Sequence, residues 1–334
     1  MTEKIDFVIL WVDGTDPEWQ RQRRSYARED MDNGDDENRF RDWGLMKYWF
    51  RGVERFAPWV NRVFLVTNGQ VPKWLDLTNP KLRLVKHQDY IPEKFLPTFN
   101  SNVIELWIHK IPDLGERFVL FNDDMFLTAP VRPEEFFRDG LPCESALLDM
   151  ATAPGPEDCL PHMQINNFAL INRHFNKKEV LKKNGRKFFT PKYRGDLLRN
   201  LLLFPFQYFS CFRDSHLPTS YLKSTFQQVW EEEGPLLEEC GNHRFRSKWD
   251  LTHWLMKSWQ ICEGKFHSRS TVWGRHYELW EDDLEEISRS LERQKYHVIC
   301  LNDSKMDIDF EGTQRKLQKS FDRILPEPSG FEIR

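Results

Sequence analysis

The chain has no long hydrophobic run. None of its apolar stretches approaches the ~18 residues needed to cross a bilayer. The longest suspect, LLLFPF at 201–206, is short and contains a proline. A helical membrane-spanning protein is therefore not expected. The N-terminal MTEKIDFVILWVDG has one early lysine, but its apolar run ends at Asp13 and no small-residue cleavage site comes after it. It reads as a first strand rather than a signal peptide. Cysteine is sparse: six residues, at 143, 159, 211, 240, 262 and 300, with no CxxC pair and no regular spacing. That argues against a zinc module or a disulfide scaffold and suits reduced thiols in the cytoplasm. Positive charge is not in excess, because 48 Lys and Arg face 52 Asp and Glu for a formal charge of −4. A generic nucleic-acid binder carries a basic surplus, so no nucleic-acid partner is expected. Hydrophobic residues, by contrast, make up 40% of the chain and aromatics 14%, including 13 Trp and 26 Phe. That is ample material for a buried core and excludes wholesale disorder.

At roughly 150 residues per domain, the length of 334 suggests two domains, or one large domain with insertions. Five apolar runs read as buried strands: FVILWV (7–12), RVFLVT (62–67), LRLV (82–85), RFVLF (117–121) and VICL (298–301). Helical spacing over 42–56 and 100–110 alternates with the first four and predicts an α/β layer with a largely parallel sheet. Further helices are expected over 219–234, 247–264 and 281–295. Residues 128–160 are rich in Pro and Gly and read as a boundary or long loops. The expected organisation is an α/β core from 1–130 and 296–334, interrupted by a mostly helical insertion or lid over 131–295. The last strand should then return to the sheet of the first 130 residues.

The strand ends are more informative than the strands. The runs lead into Asp13-Gly14-Thr15-Asp16, Asn68-Gly69-Gln70, His87-Gln88-Asp89, Asn122-Asp123-Asp124 and Asn302-Asp303-Ser304. Turns favour Asn, Asp and Gly in any case, so one such end carries little. Five, pooled at the carboxyl ends of parallel strands, predict a shared site. Asn122-Asp123-Asp124 is the sharpest feature. Adjacent carboxylates after a buried strand are costly unless paired, solvated or metal-bound, and their oxygens suit Mg²⁺ or Mn²⁺. One could hold a metal while the other takes a proton from an attacking hydroxyl. Asp13 and Asp16 frame a turn that either contacts ligand or bonds only to itself. His216, before a helix, could act as acid, base or phosphate donor, with Lys223 two turns on. His243-Arg244-Phe245-Arg246 offers forked donors for diphosphate oxygens. A basic run over 177–199 precedes LLLFPFQYF. It could be a solvated face, or a surface for an anionic polymer or a membrane.

These motifs resemble the Stealth family of sugar-phosphate transferases. Four blocks occur in order: IDFVILWVDGTDPEW (5–19); a long one from RFRDWGLMKYWF through HQDYIP and LPTFNSNVIE to FVLFNDDMFL (39–127); LPHMQINNFALINRHF (160–175); and HLPTSYLKSTFQQVW with HRFRS downstream (216–247). A closing ICLNDS (299–304) also matches. The resemblance implies a Rossmann-like nucleotide-sugar sheet and transfer of a hexose-1-phosphate from a UDP-sugar to a hydroxyl of an oligosaccharide or capsular polysaccharide. A phosphodiester forms and UMP leaves, assisted by Mg²⁺ or Mn²⁺. It casts Asp124 as the base, His216 and Arg246 as further catalytic groups, and Asp123 and Asp303 as metal ligands. Asp13, Asn68, Asn100, Ser101, Glu105, Asn122, Lys223 and Asn302 become substrate contacts, Asp13 standing where many members carry Asn. It also implies a bacterial, cytoplasm-facing enzyme with peripheral contact at the inner membrane face or with the capsule assembly machinery. A metal-dependent glycosyltransferase releasing UDP, and a carbohydrate-binding protein without activity, are the alternatives.

Overall fold

Near-continuous apolar runs are what a strand needs when both sheet faces are covered. The computed structural model describes residues 4–27, 40–156, 158–303 and 308–333; Ser304 lies outside them. Strands β1 (Asp6–Leu10), β2 (Val63–Thr67), β3 (Leu82–Lys86) and β4 (Arg117–Phe121) form at the first four runs and pair in parallel in the order β4-β1-β2-β3. β5 (Met125–Leu127) comes after β4 and a short turn. β6 (Thr219–Leu222) lies antiparallel on the outer edge of β4, where the sequence pattern suggests helix. Helix begins only at Lys223.

The closing strand does not return to this sheet. β6 already occupies the β4 edge. After β7 (Gly274–Glu278), the final strand β8 (Val298–Asn302) pairs antiparallel with β5 and parallel with β7, in a second small sheet. Its end is nevertheless tied to the acidic turn, because the Leu301 N–H donates to the Asp124 carbonyl at 2.8 Å. The pooled site therefore survives through a different connection.

Alternation along β1 divides the core. Phe7 and Ile9 face α2 (Met46–Phe56) and the late helices. Val8 faces the other side, with Phe64 and Leu120. That second face is covered by α3 (Ser101–Leu106), α4 (Cys159–His174), α7 (Lys223–Cys240) and α8 (Trp254–Glu263), through Val103, Ile171, Phe226 and Leu255. The 131–295 segment thus contributes a strand to the main sheet and much of one core layer. It also holds short strands such as Leu141–Glu144 as well as helices. Among the described residues no helix is long and apolar enough to cross a membrane, and the six cysteines are buried and form no disulfide.

One glycine is dictated by close approach. A Cβ on Gly14 would lie 2.0 Å from the Phe40 carbonyl oxygen. Its absence lets the segment at Phe40–Trp43 cross the first strand end and wall the cavity at this edge of the sheet.

Candidate active site

A cavity of ≈ 610 Å³ opens at the carboxyl ends of β1, β2 and β4. Asn68, Asn122, Asp123 and Asp124 line it from the main sheet, and Asn302 and Asp303 enter from β8. Trp11, Trp43, Phe99 and Trp254 supply apolar wall.

The acidic turn is asymmetric. Asp124 Oδ2 lies 3.6 Å from His216 Nε2 and accepts from the Cys300 thiol at 3.2 Å. Its Oδ1 is buried with no hydrogen-bond partner among the described residues. Burial opposes the charge on Asp124, but the hydrogen bond and charge of His216, aided by Cys300, outweigh it and hold the carboxyl below its ordinary value. Asp123 lies open to the cavity, with no such cation among the described residues; the desolvating cavity walls, then the neighbouring charge of Asp124, push its pKa upward. Asp303 is raised too, by burial, and Arg41 lies 3.7 Å from it.

His216 sits between two carboxylates, with Asp214 Oδ2 3.7 Å from Nδ1. Burial disfavours the imidazolium. The flanking carboxylates of Asp124 and Asp214, 3.6 and 3.7 Å from its two ring nitrogens, more than offset that and raise its pKa well above the ordinary value. Asp214 is held by a buried chain. Lys257 Nζ lies 3.3 Å from Asp214 and 3.7 Å from Glu144, and Arg269 reaches Glu144 at 3.6 Å. Lys257 is 4% exposed, so these charges are stabilised by one another rather than by water. The backbone of His216 is left-handed, with φ 47°. That conformation costs of order 1–3 kcal/mol in a non-glycine residue and persists only where the surroundings impose it. Asp124, His216 and Cys300 bring potential ligand atoms within 4.8 Å of one another.

The cavity lining also includes Glu105, Ser101 and Arg246. Arg246 Nη2 donates to Ser101 Oγ at 2.7 Å. Glu105 is buried, which raises its pKa to about 7 against the lowering pull of Arg246 and His216. His253 Nε2 lies 3.6 Å from Glu105, and its Nδ1 shares a 2.6 Å hydrogen bond with the Tyr221 hydroxyl. Burial drives His253 down to about 3, so it is neutral at pH 7. A carboxyl with a raised pKa favours the fold most when protonated. The stability it lends is whole below its unfolded value of 4.5 and is lost as pH rises through about 7. Glu105→Gln should therefore gain on the wild type by up to about 3 kcal/mol between pH 4.5 and pH 8. Urea midpoints of both proteins across that range check it; parallel pH curves would refute a buried, uncharged Glu105.

The Arg246 loop is pinned by Asn100 and Asp250, which lie outside the cavity lining. Asn100 Nδ2 donates to the carbonyls of His243 and Phe245 at 3.2 and 3.1 Å and to Asp250 Oδ2 at 2.8 Å. Asp250, fully buried, also accepts from Asn102 Nδ2, Ser247 N and His243 Nδ1. Asp250→Ala should cost about 3 kcal/mol, the usual cost of stranding such partners. Chemical denaturation gives the number.

Ten of the sequence candidates line the cavity: Asn68, Ser101, Glu105, Asn122, Asp123, Asp124, His216, Arg246, Asn302 and Asp303. Three are placed elsewhere. Asp13 accepts from the Thr15 N–H and hydroxyl, while its own backbone is clasped by Gln70, so its side chain serves the turn. Asn100 supports the Arg246 loop. Lys223 is carried to the wrong edge, because β6 runs antiparallel to β4 and ends beside Arg117 at the amino ends of the strands. Its Nζ donates to the Leu114 carbonyl at 3.2 Å. Sequence reasoning missed Asp214, His253 and Cys300. Asp214 had a signal, since it lies two residues before His216 and in extended chain shares its side. Cys300 had none, being one more apolar letter in a strand.

Ligands of open α/β sheets bind beyond the carboxyl ends of the strands. Here that edge carries the carboxylate–imidazolium pair, which marks an enzyme of the α/β class. Comparison with known proteins narrows this. The family models described as Stealth protein CR1, conserved region 1, and CR2, conserved region 2, match residues 3–30 and 39–143. The chain is 40% identical to the capsular polysaccharide phosphotransferase WcwK of Streptococcus pneumoniae, across 99% of this chain and 98% of the relative. It is 42% identical to the receptor polysaccharide phosphotransferase WefC of Streptococcus gordonii, across 100% of both chains. An exopolysaccharide phosphotransferase, cps2G of Lactiplantibacillus plantarum, is 40% identical across 98% of this chain and 96% of its own length. Among solved structures, the galactosyltransferase LgtC aligns with a TM-score of 0.41 and 9% identity, covering 94% of this chain and 95% of that one. The chain belongs to the Stealth family and is a transferase.

Proposed function

We propose that this transferase moves a hexose-1-phosphate from a UDP-sugar to a hydroxyl of a capsular or exopolysaccharide acceptor. The observation that carries the reading is the Asp124–His216 pair. One Asp124 oxygen is engaged by the imidazolium, while the other is buried and has no hydrogen-bond partner among the described residues. A carboxylate kept ionised with one free oxygen suits the removal of a proton from an attacking hydroxyl. In this reading Asp124 Oδ1 takes the acceptor proton as the acceptor oxygen bonds to the phosphorus that bears the sugar. The bond from that phosphorus to the UMP phosphate breaks, and UMP leaves. His216 and Arg246 meet the charge that spreads over the phosphoryl oxygens. Glu105 and Ser101 contact the sugar, with Asn68, Asn122 and Asn302 as further polar contacts. The aromatic wall fits a nucleoside or sugar face.

The donor set fits a hard divalent cation. Asp123 lies open to the cavity beside the like charge of Asp124, and Asp303, desolvated and 3.7 Å from Arg41, enters the same cavity. Asp123 and Asp303 would hold Mg²⁺ or Mn²⁺, which supplies Lewis-acid neutralisation of a diphosphate when bound. Exhaustive chelation should lower turnover at least about 100-fold, with recovery on adding either ion. Full activity after chelation would remove the metal from the assignment.

Incubation with a panel of UDP-sugars and capsule oligosaccharides, with phosphorus NMR and nucleotide analysis of the products, tests the reaction. UMP together with a new phosphodiester is expected. Release of UDP with no phosphorus in the new linkage would make the protein a glycosyltransferase instead.

A further inference from the structure

Helix α5 (Lys177–Phe188) and, after a turn, α6 (Leu197–Leu203) carry an inverted surface. In α6 the amide is inside, while Arg199 faces out beside the leucines. Asn200 is fully buried, accepts from the Leu148 N–H at 2.6 Å, and donates to the carbonyls of Ala146 and Phe188 at 2.9 and 2.7 Å. The apolar residues are outside. Leu198, Leu201 and Leu202, at i, i+3 and i+4, are 60%, 54% and 64% exposed, and Phe204, Phe206 and Tyr208 continue the exposure. An isolated exposed leucine needs no explanation; six large apolar side chains within eleven residues do.

The patch is held in place. Buried Lys177 donates Nζ to the Leu203 carbonyl at 2.7 Å, Phe189 packs edge-on against Phe204, and Asn172 of α4 exchanges two hydrogen bonds with the Phe209 backbone. Both ends of α5 therefore touch the loop. Lys178, Lys182, Lys183 and Arg186 are exposed along α5. Residues 177–199 hold nine Lys and Arg against Glu179 and Asp196, in a chain whose net charge is −4.

We propose that α5, α6 and the loop after them dock this protein on an anionic lipid bilayer. Leucine side chains gain nothing from a hydroxylated polymer but do gain from entering an acyl boundary, while the adjacent cations suit phosphate headgroups. The chemistry matches both halves of the surface with one partner. α4 joins this face to the cavity: its start lines the cavity at Cys159 and Met163, and Asn172 lies about 20 Å along the axis at 1.5 Å per residue. A docked molecule would work within that reach of the membrane. Docking of this kind is independent of the proposed reaction.

Co-sedimentation of the whole protein with unilamellar vesicles tests it. Binding is expected to vesicles of phosphatidylglycerol and phosphatidylcholine, and to fall at least about tenfold on pure phosphatidylcholine. The pair Leu201→Gln and Leu202→Gln should lose at least about tenfold in vesicle binding while keeping its thermal midpoint, because the positions are exposed. Lys182→Glu with Lys183→Glu should weaken binding to the anionic vesicles alone. No sedimentation with anionic vesicles would overturn the proposal. So would a dimer in sedimentation velocity that the leucine variants dissolve, because the patch would then be covered by a second copy.

Discussion

Asp124→Asn is expected to lower kcat by at least about 1,000-fold while leaving the thermal midpoint within a few degrees. The substitution keeps the shape and one carbonyl oxygen, so the hydrogen bond from Cys300 and the path of the chain after β4 can persist. What is lost is the charge. An amide oxygen does not accept the proton of an attacking hydroxyl, and the neutral group no longer sustains the His216 imidazolium. The measurement is single-turnover transfer with saturating donor and acceptor, set beside near-UV circular dichroism to confirm the fold. Activity within tenfold of wild type would remove Asp124 from proton transfer and point to His216 or Asp123.

His216→Ala carries the second large effect, about 100- to 1,000-fold in kcat, the range typical when one preorganised donor at a developing charge is removed. The variant loses the cation that separates Asp124 from Asp214, so two half-buried carboxylates face each other across the vacated space. Alanine keeps its Cβ and therefore the cost of the left-handed backbone. His216→Gln keeps a neutral hydrogen-bond donor in place of the charge and separates the roles. If positioning of Asp124 were all that mattered, Gln would restore most of the rate; if the charge matters, it would stay near the Ala variant. Unchanged kcat in both variants would defeat the assignment.

The first four strands and their order of appearance could be read from residues alone, because a parallel sheet covered on both faces demands unbroken apolar runs and little else produces them. Six of the residues that line the cavity, Asn68, Asn122, Asp123, Asp124, Asn302 and Asp303, were legible as polar strand ends; His216 and Arg246 were read from their side-chain chemistry, and Ser101 and Glu105 came only with the family resemblance. The place of Lys223 was not legible, since it depends on β6 running antiparallel, and strand direction leaves no trace in local composition. Asp214, His253 and Cys300 were hidden for a related reason. Each is ordinary in its own segment and acquires a role only from partners distant in sequence, as Asp214 does from Lys257 and Cys300 from Asp124. The run LLLFPF left a surface open as one reading of the sequence, and only the inward-facing Asn200 amide decides which leucines of α6 face solvent. The sequence by itself therefore determined the α/β architecture, the family and the acidic turn, all of which rest on local pattern. Tertiary structure alone decided which carboxylate is paired with His216, which is left without a cation, and which face of the molecule stays apolar, because ionisation and burial depend on what the fold brings near.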